Sequence, residues 1–262
     1  MQALRTAATG MSAQQMNVEV ISNNIANMNT IGFKRQRAEF QDLLYQSIER
    51  AGAQSSDQGT IVPTGVQVGG GVKTGSVYRI TQQGSLINTG NTFDLAIEGR
   101  GYFQILLPTG ETAYTRAGNL SRNQEGQLVT DDGYLLQPPI TIPTDATDVA
   151  ISKTGIVQAL RDGVAEPEVV GQIELAAFLN ESGLEAQGDN LFLESAASGP
   201  PQISTPMLNG LGKMLQGYTE SSNVDAVSEV TALIVAQRAY EMNSKVITAA
   251  DEMLQAANAV KS

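Results

Sequence analysis

Few side chains in this sequence are grouped in a way that could carry out catalysis. Asp94 and Glu98 are a carboxylate pair such as a glycan hydrolase would use, one as general acid and the other as nucleophile or base. No recognisable glycosidase sequence surrounds them, so this reading is the weaker alternative. Ser152-Lys153 and Ser244-Lys245 are direct neighbours. Because neighbouring side chains point to different faces of a strand or helix, we expect no Ser-Lys dyad.

Nucleotide and metal sites are poorly supported as well. Gly99-Arg100-Gly101 lies inside a β pattern and opens no helix, unlike a dinucleotide-binding loop. Gly212-Lys213 is followed by Met214, where a phosphate-binding loop needs Ser or Thr. Asp131-Asp132-Gly133 could hold a cation, but a type I′ turn explains Asp-Gly without one. The sequence therefore predicts no cofactor and no metal.

The composition removes further classes of function. The 262 residues include no Cys and no His, which excludes a Ser-His-Asp triad, a Cys nucleophile and the usual zinc ligands. The net charge of −11 disfavours binding to nucleic acid or to anionic membrane surfaces. No run approaches the ~20 apolar residues of a spanning helix, and the N-terminal residues lack the apolar core of a cleaved signal peptide. We therefore expect neither nucleic-acid binding nor membrane insertion.

The two ends of the chain carry long apolar stripes at helical spacing. In the first thirty residues the steps alternate between three and four, with polar Gln14 as an interruption; the stripe is Leu4, Ala7, Met11, Val18, Ile21, Ile25 and Met28. This heptad seam predicts a helix that ends between Asn29 and Gly32. A second short helix is predicted from the spacing of Phe40, Leu43, Leu44 and Ile48.

A matching seam lies at the C-terminal end. No Gly or Pro occurs from Val224 to Val260, and polar Asn243 interrupts the row of Leu233, Ala236, Tyr240, Ile247, Ala250, Leu254 and Ala257. Asn223 or Ser222 could cap this helix, and Asp225 and Glu229 suit the positive end of its dipole.

Between the ends the pattern changes to short strands. Gly101, Gly110, Gly118, Gly126 and Gly133 recur every seven to nine residues, a spacing typical of turns in antiparallel sheet. We expect an α+β fold in which a central, mainly antiparallel β domain is inserted between terminal helices that pair as a coiled coil. The expected division is a helical domain of residues 1–35 and 222–262, extended arms of residues 36–75 and 196–221, and a β-rich outer domain of residues 76–195.

The seams leave two interpretations open. Amphipathic helices commonly pack on their own chain, and a binding module with folded-back helices would need nothing more. Seams at both termini can instead meet a neighbouring copy, and an open, repeated contact of that kind builds helical filaments. Likewise, the Asn residues that end the first seam could cap the helix or form a hydrogen-bonded layer that fixes the register between helices.

Three stretches resemble one known family. Gly10-Met11 followed by NNIANMNTIGFK is similar to the N-terminal signature of the flagellar axial proteins, which include rod, hook and hook-associated proteins. Residues 221–254 resemble the C-terminal signature, and DLAIEGRGYFQI with YTRAGNLSRNQEGQLVTDDGYLL resembles the β-domain motif. The signature positions are Asn23, Asn24, Asn27, Thr30, Gly32, Phe33, Asn223, Asp225, Gln237, Arg238 and Tyr240.

The resemblance implies a function that is mechanical and not enzymatic. Chain length and the stretch from Tyr45 to Val72 favour a distal rod subunit over another rod or hook-family subunit. Such a subunit polymerises helically in the flagellar basal body, crosses the periplasm and cell envelope, and transmits motor torque to the hook. The implied partners are further copies of the chain, proximal rod and hook subunits, envelope ring proteins and the flagellar type III export apparatus. The self-assembly residues would be Leu4, Met11, Val18, Ile21, Ile25, Met28, Leu233, Tyr240, Ile247 and Leu254.

Overall fold

The computed structural model describes residues 2–49, 64–162 and 166–261 of the chain. The first helix, α1, spans Gln2–Ala26, and the last helix, α2, spans Ala226–Lys261. Most elements in the described chain between them are strands, and those of the largest sheet pair antiparallel. The predicted α+β class, with an antiparallel β region between terminal helices, is therefore confirmed. The described helices contain no stretch that is long and apolar enough to cross a membrane.

The strands are short and follow one another closely. The first ten are β1 Gln36–Asp42, β2 Tyr45–Glu49, β3 Val66–Gly69, β4 Val72–Arg79, β5 Leu86–Asn88, β6 Leu95–Glu98, β7 Tyr102–Leu106, β8 Thr112–Thr115, β9 Leu120–Arg122 and β10 Leu128–Thr130. The next ten are β11 Leu135–Gln137, β12 Ala146–Ile151, β13 Ile156–Arg161, β14 Glu168–Gln172, β15 Leu175–Ala177, β16 Glu185–Gly188, β17 Leu191–Leu193, β18 Gln202–Ser204, β19 Lys213–Gln216 and β20 Tyr218–Glu220. A 3-10 helix at Glu181–Gly183 lies between β15 and β16.

The chain forms two compact units. The first, called the helical unit, consists of the described residues within Met1–Ile25, Gln36–Tyr78 and Asp225–Ser262. It contains nearly all of both helices, and in it β1 pairs with β4 while β2 pairs with β3.

The short helix predicted from Phe40, Leu43, Leu44 and Ile48 is wrong, because β1 and β2 occupy this stretch. Burial alternates along β1, where Ala38 and Phe40 are partly covered and the residues that follow them are exposed. A two-residue period is the pattern of a strand. The partner strands β3 and β4 lie far along the chain, so the local spacing could not reveal them.

The second unit, called the β body, consists of Ala26–Arg35 and the described residues within Arg79–Val224. Its largest sheet has the order β16-β17-β8-β7-β11-β10-β9, with β15 attached to β7 and β18 attached to β15. Strands β12, β13 and β14 form a second sheet, β6 pairs with β19, and β5 pairs with β20. The hydrophobic core of the β body is formed by large side chains that are at most 2% exposed: Leu95, Ile97, Phe103, Ile105, Leu120, Leu128, Leu136, Ile142, Ile173, Leu175 and Met214.

The two ranges predicted as extended arms contain paired strands. Residues 50–63 of the first range lie outside the described residues, and on either side of them β2 and β3 pair through Tyr45 opposite Gly69 and Ser47 opposite Gln67. Residues 196–221 contain β18, β19 and β20, which pair with β15, β6 and β5. This second range therefore belongs to the sheets of the β body, since distant strands satisfy its backbone hydrogen bonds.

The C-terminal end of α1 and the N-terminal cap of α2 both differ from the predicted ones. The helix α1 ends at Ala26, and turns follow where the sequence predicted its last residues. At the start of α2 the cap is Asp225, whose Oδ1 accepts the backbone N–H of Ser228 at 2.8 Å, and not Asn223 or Ser222. Asn223 is engaged elsewhere: its Oδ1 accepts the backbone N–H of Arg35 at 2.6 Å.

Candidate functional site

The predicted seam of α1 lies largely on the covered side of that helix. Ile21 is buried, and the residues that are half-buried are Leu4, Met11, Val18 and Ile25. Met28 is 37% exposed and lies beyond the end of the helix. The structure also buries Ala13, Val20 and Asn24, which the heptad row omitted. An α-helix repeats every 3.6 residues and not every 3.5, so a covered face drifts away from a strict heptad.

The covered apolar positions of α2 include four of the predicted seam residues. Ala236 and Ala250 are buried, and Leu233 and Ile247 are half-buried. Tyr240 and Leu254 are each 43% exposed. Among the apolar residues of this helix, the small alanine side chains and not the large ones are therefore the most deeply covered.

Two contacts bring α1 and α2 together in opposite directions. Near the end of α1, Asn24 Nδ2 donates to Glu229 Oε2 at 3.1 Å, and both side chains are 1% exposed. Near its start, Gly10 lies so close to Asn243 that a Cβ at residue 10 would be 3.0 Å from Asn243 Nδ2. A glycine inside a helix costs about 1 kcal/mol relative to alanine, and here the Asn243 side chain packs against the space that a Cβ would take.

Asn24 also fixes the chain where it leaves α1. Its Nδ2 donates to the carbonyl of Gln36 and its Oδ1 accepts the N–H of Gln36, both at 2.8 Å. One amide thus joins α1, β1 and, through Glu229, α2. The sequence singled out this asparagine as a capping or layer residue, but the carboxylate partner 205 residues away had no local signal.

The rest of the N-terminal signature forms a tight turn. Thr30 Oγ1 donates to Asn27 Oδ1 at 3.2 Å, and Phe33 N–H bonds the carbonyl of Thr30 at 3.3 Å. Gly32 has φ of +70°, and a Cβ there would lie 2.7 Å from the backbone nitrogen of Ala117. Only glycine fits this position, since both the backbone angle and the space exclude a side chain. Asn23, also in the signature, is exposed.

An ionic cluster that the sequence did not predict is buried beneath this turn, in the β body. Glu220 Oε1 accepts from Lys34 Nζ at 2.6 Å, and Glu220 Oε2 accepts from Arg116 Nε at 2.8 Å. The side chains are 1%, 3% and 5% exposed, in the order Glu220, Lys34, Arg116. The sequence signals were limited to motif membership: Lys34 is the last residue of the quoted N-terminal motif, and Arg116 lies in the quoted β-domain motif.

Backbone groups complete the hydrogen bonding of this cluster. Arg116 donates through Nη2 to the carbonyl of Gly99 at 2.8 Å, and Lys34 Nζ donates to the carbonyl of Gln82 at 3.1 Å. Burial lowers the pKa of Lys34 below its ordinary value, and the Glu220 carboxylate opposes that change. Since each charge has partners, the cluster holds the segments that contain Lys34, Arg116 and Glu220 together and offers no free group for catalysis.

The remaining C-terminal signature residues lie on the surface of α2. Arg238 Nη1 pairs with Glu241 Oε2 at 3.4 Å, and both side chains are well exposed. Gln237 and Tyr240 face α1 across a groove of about 360 Å³, lined from α1 by Gln15, Val18 and Glu19 and from α2 by Gln237, Tyr240 and Glu241. The groove lies between the two helix contacts described above, and more of its lining surface is apolar than polar.

The candidate catalytic carboxylates are used in local structure. Asp94 is buried and accepts Thr89 Oγ1 at 2.6 Å and Asn91 Nδ2 at 2.9 Å. Glu98 is exposed and pairs with Lys213 Nζ at 3.0 Å. Their partners make Asp94 a turn residue and Glu98 half of a surface ion pair.

The acidic turn after β10 differs from the predicted type I′ turn. Gly133 has φ of +85° and donates to the carbonyl of Thr130, but neither Asp131 nor Asp132 has positive φ. A type I′ turn needs positive φ at both central residues, so that prediction is wrong. Within the described ranges, no group of three or more Asp or Glu residues is arranged to hold a metal ion.

Comparison with known protein families matches three parts of the chain. A family described as "Flagella basal body rod protein" matches residues 4–34, and one described as "Flagellar hook protein FlgE/F/G D1 domain" matches residues 96–159. A third, "Flagellar basal body rod FlgEFG protein C-terminal", matches residues 215–260. Both helices and the β body thus have the sequence features of flagellar rod and hook proteins.

Similar curated proteins align along nearly the whole chain. A flagellar basal-body rod protein FlgG of Caulobacter vibrioides is 71% identical over 262 residues, covering 100% of both chains. Proteins of the same name from Agrobacterium fabrum and Bacillus subtilis are 54% and 41% identical, each over 97% of both chains. The chain belongs to the flagellar basal-body rod protein family.

Several expectations are settled by this membership. The chain is a structural subunit of the flagellar basal-body rod, and the prediction of a distal rod protein is confirmed. Its location is the basal-body rod. The relatives are structural proteins of a family not known for enzymes, and the glycan-hydrolase alternative finds no support among them.

Proposed function

We propose that this rod subunit polymerises as a helical lattice in which α1 and α2 pair as a coiled coil of an inner layer. The helical ranges are those within residues 1–35 and 222–262. The β-rich residues 76–195, most of which belong to the β body, supply the outer layer. Torque then passes through many small packing contacts, because burial and dispersion add over the whole area of a repeated interface.

One observation carries this proposal. The helix α2 covers a seam of small residues, yet it leaves a second set of large apolar side chains uncovered: Val227, Ile234, Val235, Met242 and Met253, each more than 50% exposed. A single folded chain gains nothing from leaving these side chains in water. Further copies of the chain would cover them in a polymer.

The proposed partners are those that the family resemblance implies. Lattice ends require proximal rod subunits on one side and hook subunits on the other, and envelope ring proteins surround the rod. The absence of Cys suits passage of an unfolded chain through the flagellar type III export apparatus, since no disulfide has to be opened. The stretch from Tyr45 to Val72, in whose described part Ile48 is 65% and Val66 47% exposed, would bridge neighbouring subunits and stiffen the lattice.

Cysteine pairs placed in the Cys-free chain test the polymer. Because the helices are antiparallel, the part of α2 opposite Val18 lies about 12 residues before Ile247. Val18 and Ile247 are therefore about 18 Å apart along the helix axis. A disulfide needs Cα atoms within about 7 Å, so Val18→Cys with Ile247→Cys can be bridged only between copies. We expect oxidised, non-reducing gels of the native cells to show a ladder of multimers.

Gly10→Cys with Asn243→Cys is the matched control, because these two residues touch within one chain. That pair should close an internal bridge and run as a faster monomer. If the Val18 and Ile247 pair and its neighbours give monomer alone while the control pair closes, the seams do not join copies and the proposed polymer is wrong.

A further inference from the structure

The groove between α1 and α2 combines an apolar floor with acidic sides. Val18 and Tyr240 contribute the floor, and Glu19 and Glu241 contribute one exposed carboxylate from each helix. Gln15 Nε2 donates to Glu19 Oε1 at 3.1 Å, but no Lys or Arg among residues 2–49, 64–162 and 166–261 forms an ion pair with Glu19. The groove is therefore suited to an apolar side chain that has a cation beside it.

The same helix, α2, carries a patch of that chemistry on a neighbouring part of its surface. Met242 and Val246 are 61% and 47% exposed, and Lys245, between them in sequence, is also exposed. Residues three and four apart are neighbours on a helix surface, so Met242, Lys245 and Val246 form one patch. Within the described part of the chain Lys245 pairs with no carboxylate, whereas Arg238, also exposed on α2, is paired with Glu241.

We propose that the groove lined by Val18, Glu19 and Tyr240 is the docking site for the Met242–Lys245–Val246 patch of a second copy of the chain. Apolar side chains of the patch enter the groove, and the second copy's Lys245 approaches Glu19. The observation that selects this occupant is charge complementarity. The groove is acidic in a chain of net charge −11, and the patch supplies an unpaired cation flanked by exposed apolar side chains.

The geometry of this contact builds an open assembly. Groove and patch are different surfaces of one chain, so each copy can offer its patch to one neighbour and its groove to another. Such a heterologous contact does not pair two copies off, and it continues as a filament unless the rotation closes a ring. The inference rests on the proposed polymer and adds to it which surfaces meet.

Charge reversal tests the contact directly. Glu19→Lys and Lys245→Glu each place like charges at the docking site, and we expect each to lower the yield of subunit in purified basal bodies about tenfold. The double variant restores opposite charges in exchanged positions, and its yield should return to within about twofold of the parent chain. Glu125→Lys, on an exposed turn of the β body, makes the same charge change at a residue that does not line the groove and should leave the yield unchanged.

A disulfide pair gives a second readout that does not depend on yield. Val18→Cys with Met242→Cys are separated by about 10 Å along the helix pair within one chain, so a bridge would join two copies. We expect multimers in oxidised basal bodies. Single reversals that assemble normally, a double variant that stays as poor as the singles, or cross-links from Val18 only to a different protein would overturn the inference. In each case a ladder from the Val18 and Ile247 pair would leave the polymer itself standing.

Discussion

The β body and helix α2 treat large apolar side chains in opposite ways. In the β body Phe103, Ile105 and Leu136 are completely covered, whereas on α2 Val227, Met242 and Met253 are each more than 60% exposed. The first is a finished core whose stability the single chain already possesses. The exposed apolar surface of α2 can be buried only by contact with other molecules. Substitutions in the β body should therefore change the folding of one chain, and substitutions on α2 should change what chains do together.

The largest effect on the single chain is expected at the centre of the β body. Phe103→Ala removes a fully buried ring from the strand in the middle of the largest sheet and should lower the free energy of unfolding by about 3–5 kcal/mol. Urea titration of the purified monomer, followed by circular dichroism, measures this loss. A loss under about 1 kcal/mol would mean that the core of the β body is not the source of its stability.

The buried ionic cluster should give the next largest effect. Glu220→Gln leaves Lys34 and Arg116 buried without their carboxylate, and we expect a loss of about 3 kcal/mol in the same titration. Glu98→Gln is the control, since Glu98 and Lys213 form a pair on the surface that should contribute at most about 1 kcal/mol. Equal losses in the two variants would argue that burial does not set the importance of the charges.

A smaller loss is expected at the turn that leads into this cluster. Gly32→Ala combines positive φ with a Cβ that would be 2.7 Å from the backbone of Ala117, and should cost about 2–3 kcal/mol. Gly110→Ala has a similar φ of +87° but open space around the new Cβ, and should cost only about 1–2 kcal/mol. The difference between the urea midpoints of the two variants measures how much of the lost stability comes from the steric clash of the new Cβ.

How far the sequence predicted these features depended on whether the signal was local. The helices, the turn glycines and the seam positions Ile21 and Ala236 followed from spacing alone, because a helix face or a hairpin is defined within a few residues. The strands β1 and β2 were mistaken for a helix since their partners β3 and β4 lie far along the chain.

The buried charges could not be predicted for the same reason. Lys34 and Glu220 are 186 residues apart, and each looks in the sequence like an ordinary surface charge. Only the folded structure shows that each of these charges is buried beside a partner of opposite charge. The signature residues Asn24 and Gly32 were identified by resemblance, and their physical roles, an amide bridge and a side-chain-free turn, appeared only with their distant neighbours.

The β body should also lose stability in alkali, although nothing changes at neutral pH. Burial raises the pKa of Tyr102 far above its ordinary value of 10, with the Glu181 carboxylate adding to the change. A raised folded-state pKa gives stability that is complete below the unfolded pKa near 10 and is lost as the pH rises above it. Lys34, whose pKa is lowered, works in the opposite direction, so the comparison must be between the parent chain and Tyr102→Phe. Unfolding free energies from pH 8 to 11 should decline less steeply in the variant, and parallel curves would contradict the assignment.

The smallest effect on the single chain is expected where the exposed apolar surface is greatest. Met242→Ser on α2 replaces a side chain that is 61% exposed, so the free energy of unfolding of the monomer should change by no more than about 0.5 kcal/mol. The same change should reduce incorporation into basal bodies, because the lost apolar contact is one made only between copies. Ser244→Ala, at an exposed position two residues away and off the patch, should alter neither quantity. A variant at Met242 that destabilises the monomer as much as it reduces assembly would remove the distinction between the two regions, since both would then serve the folding of one chain.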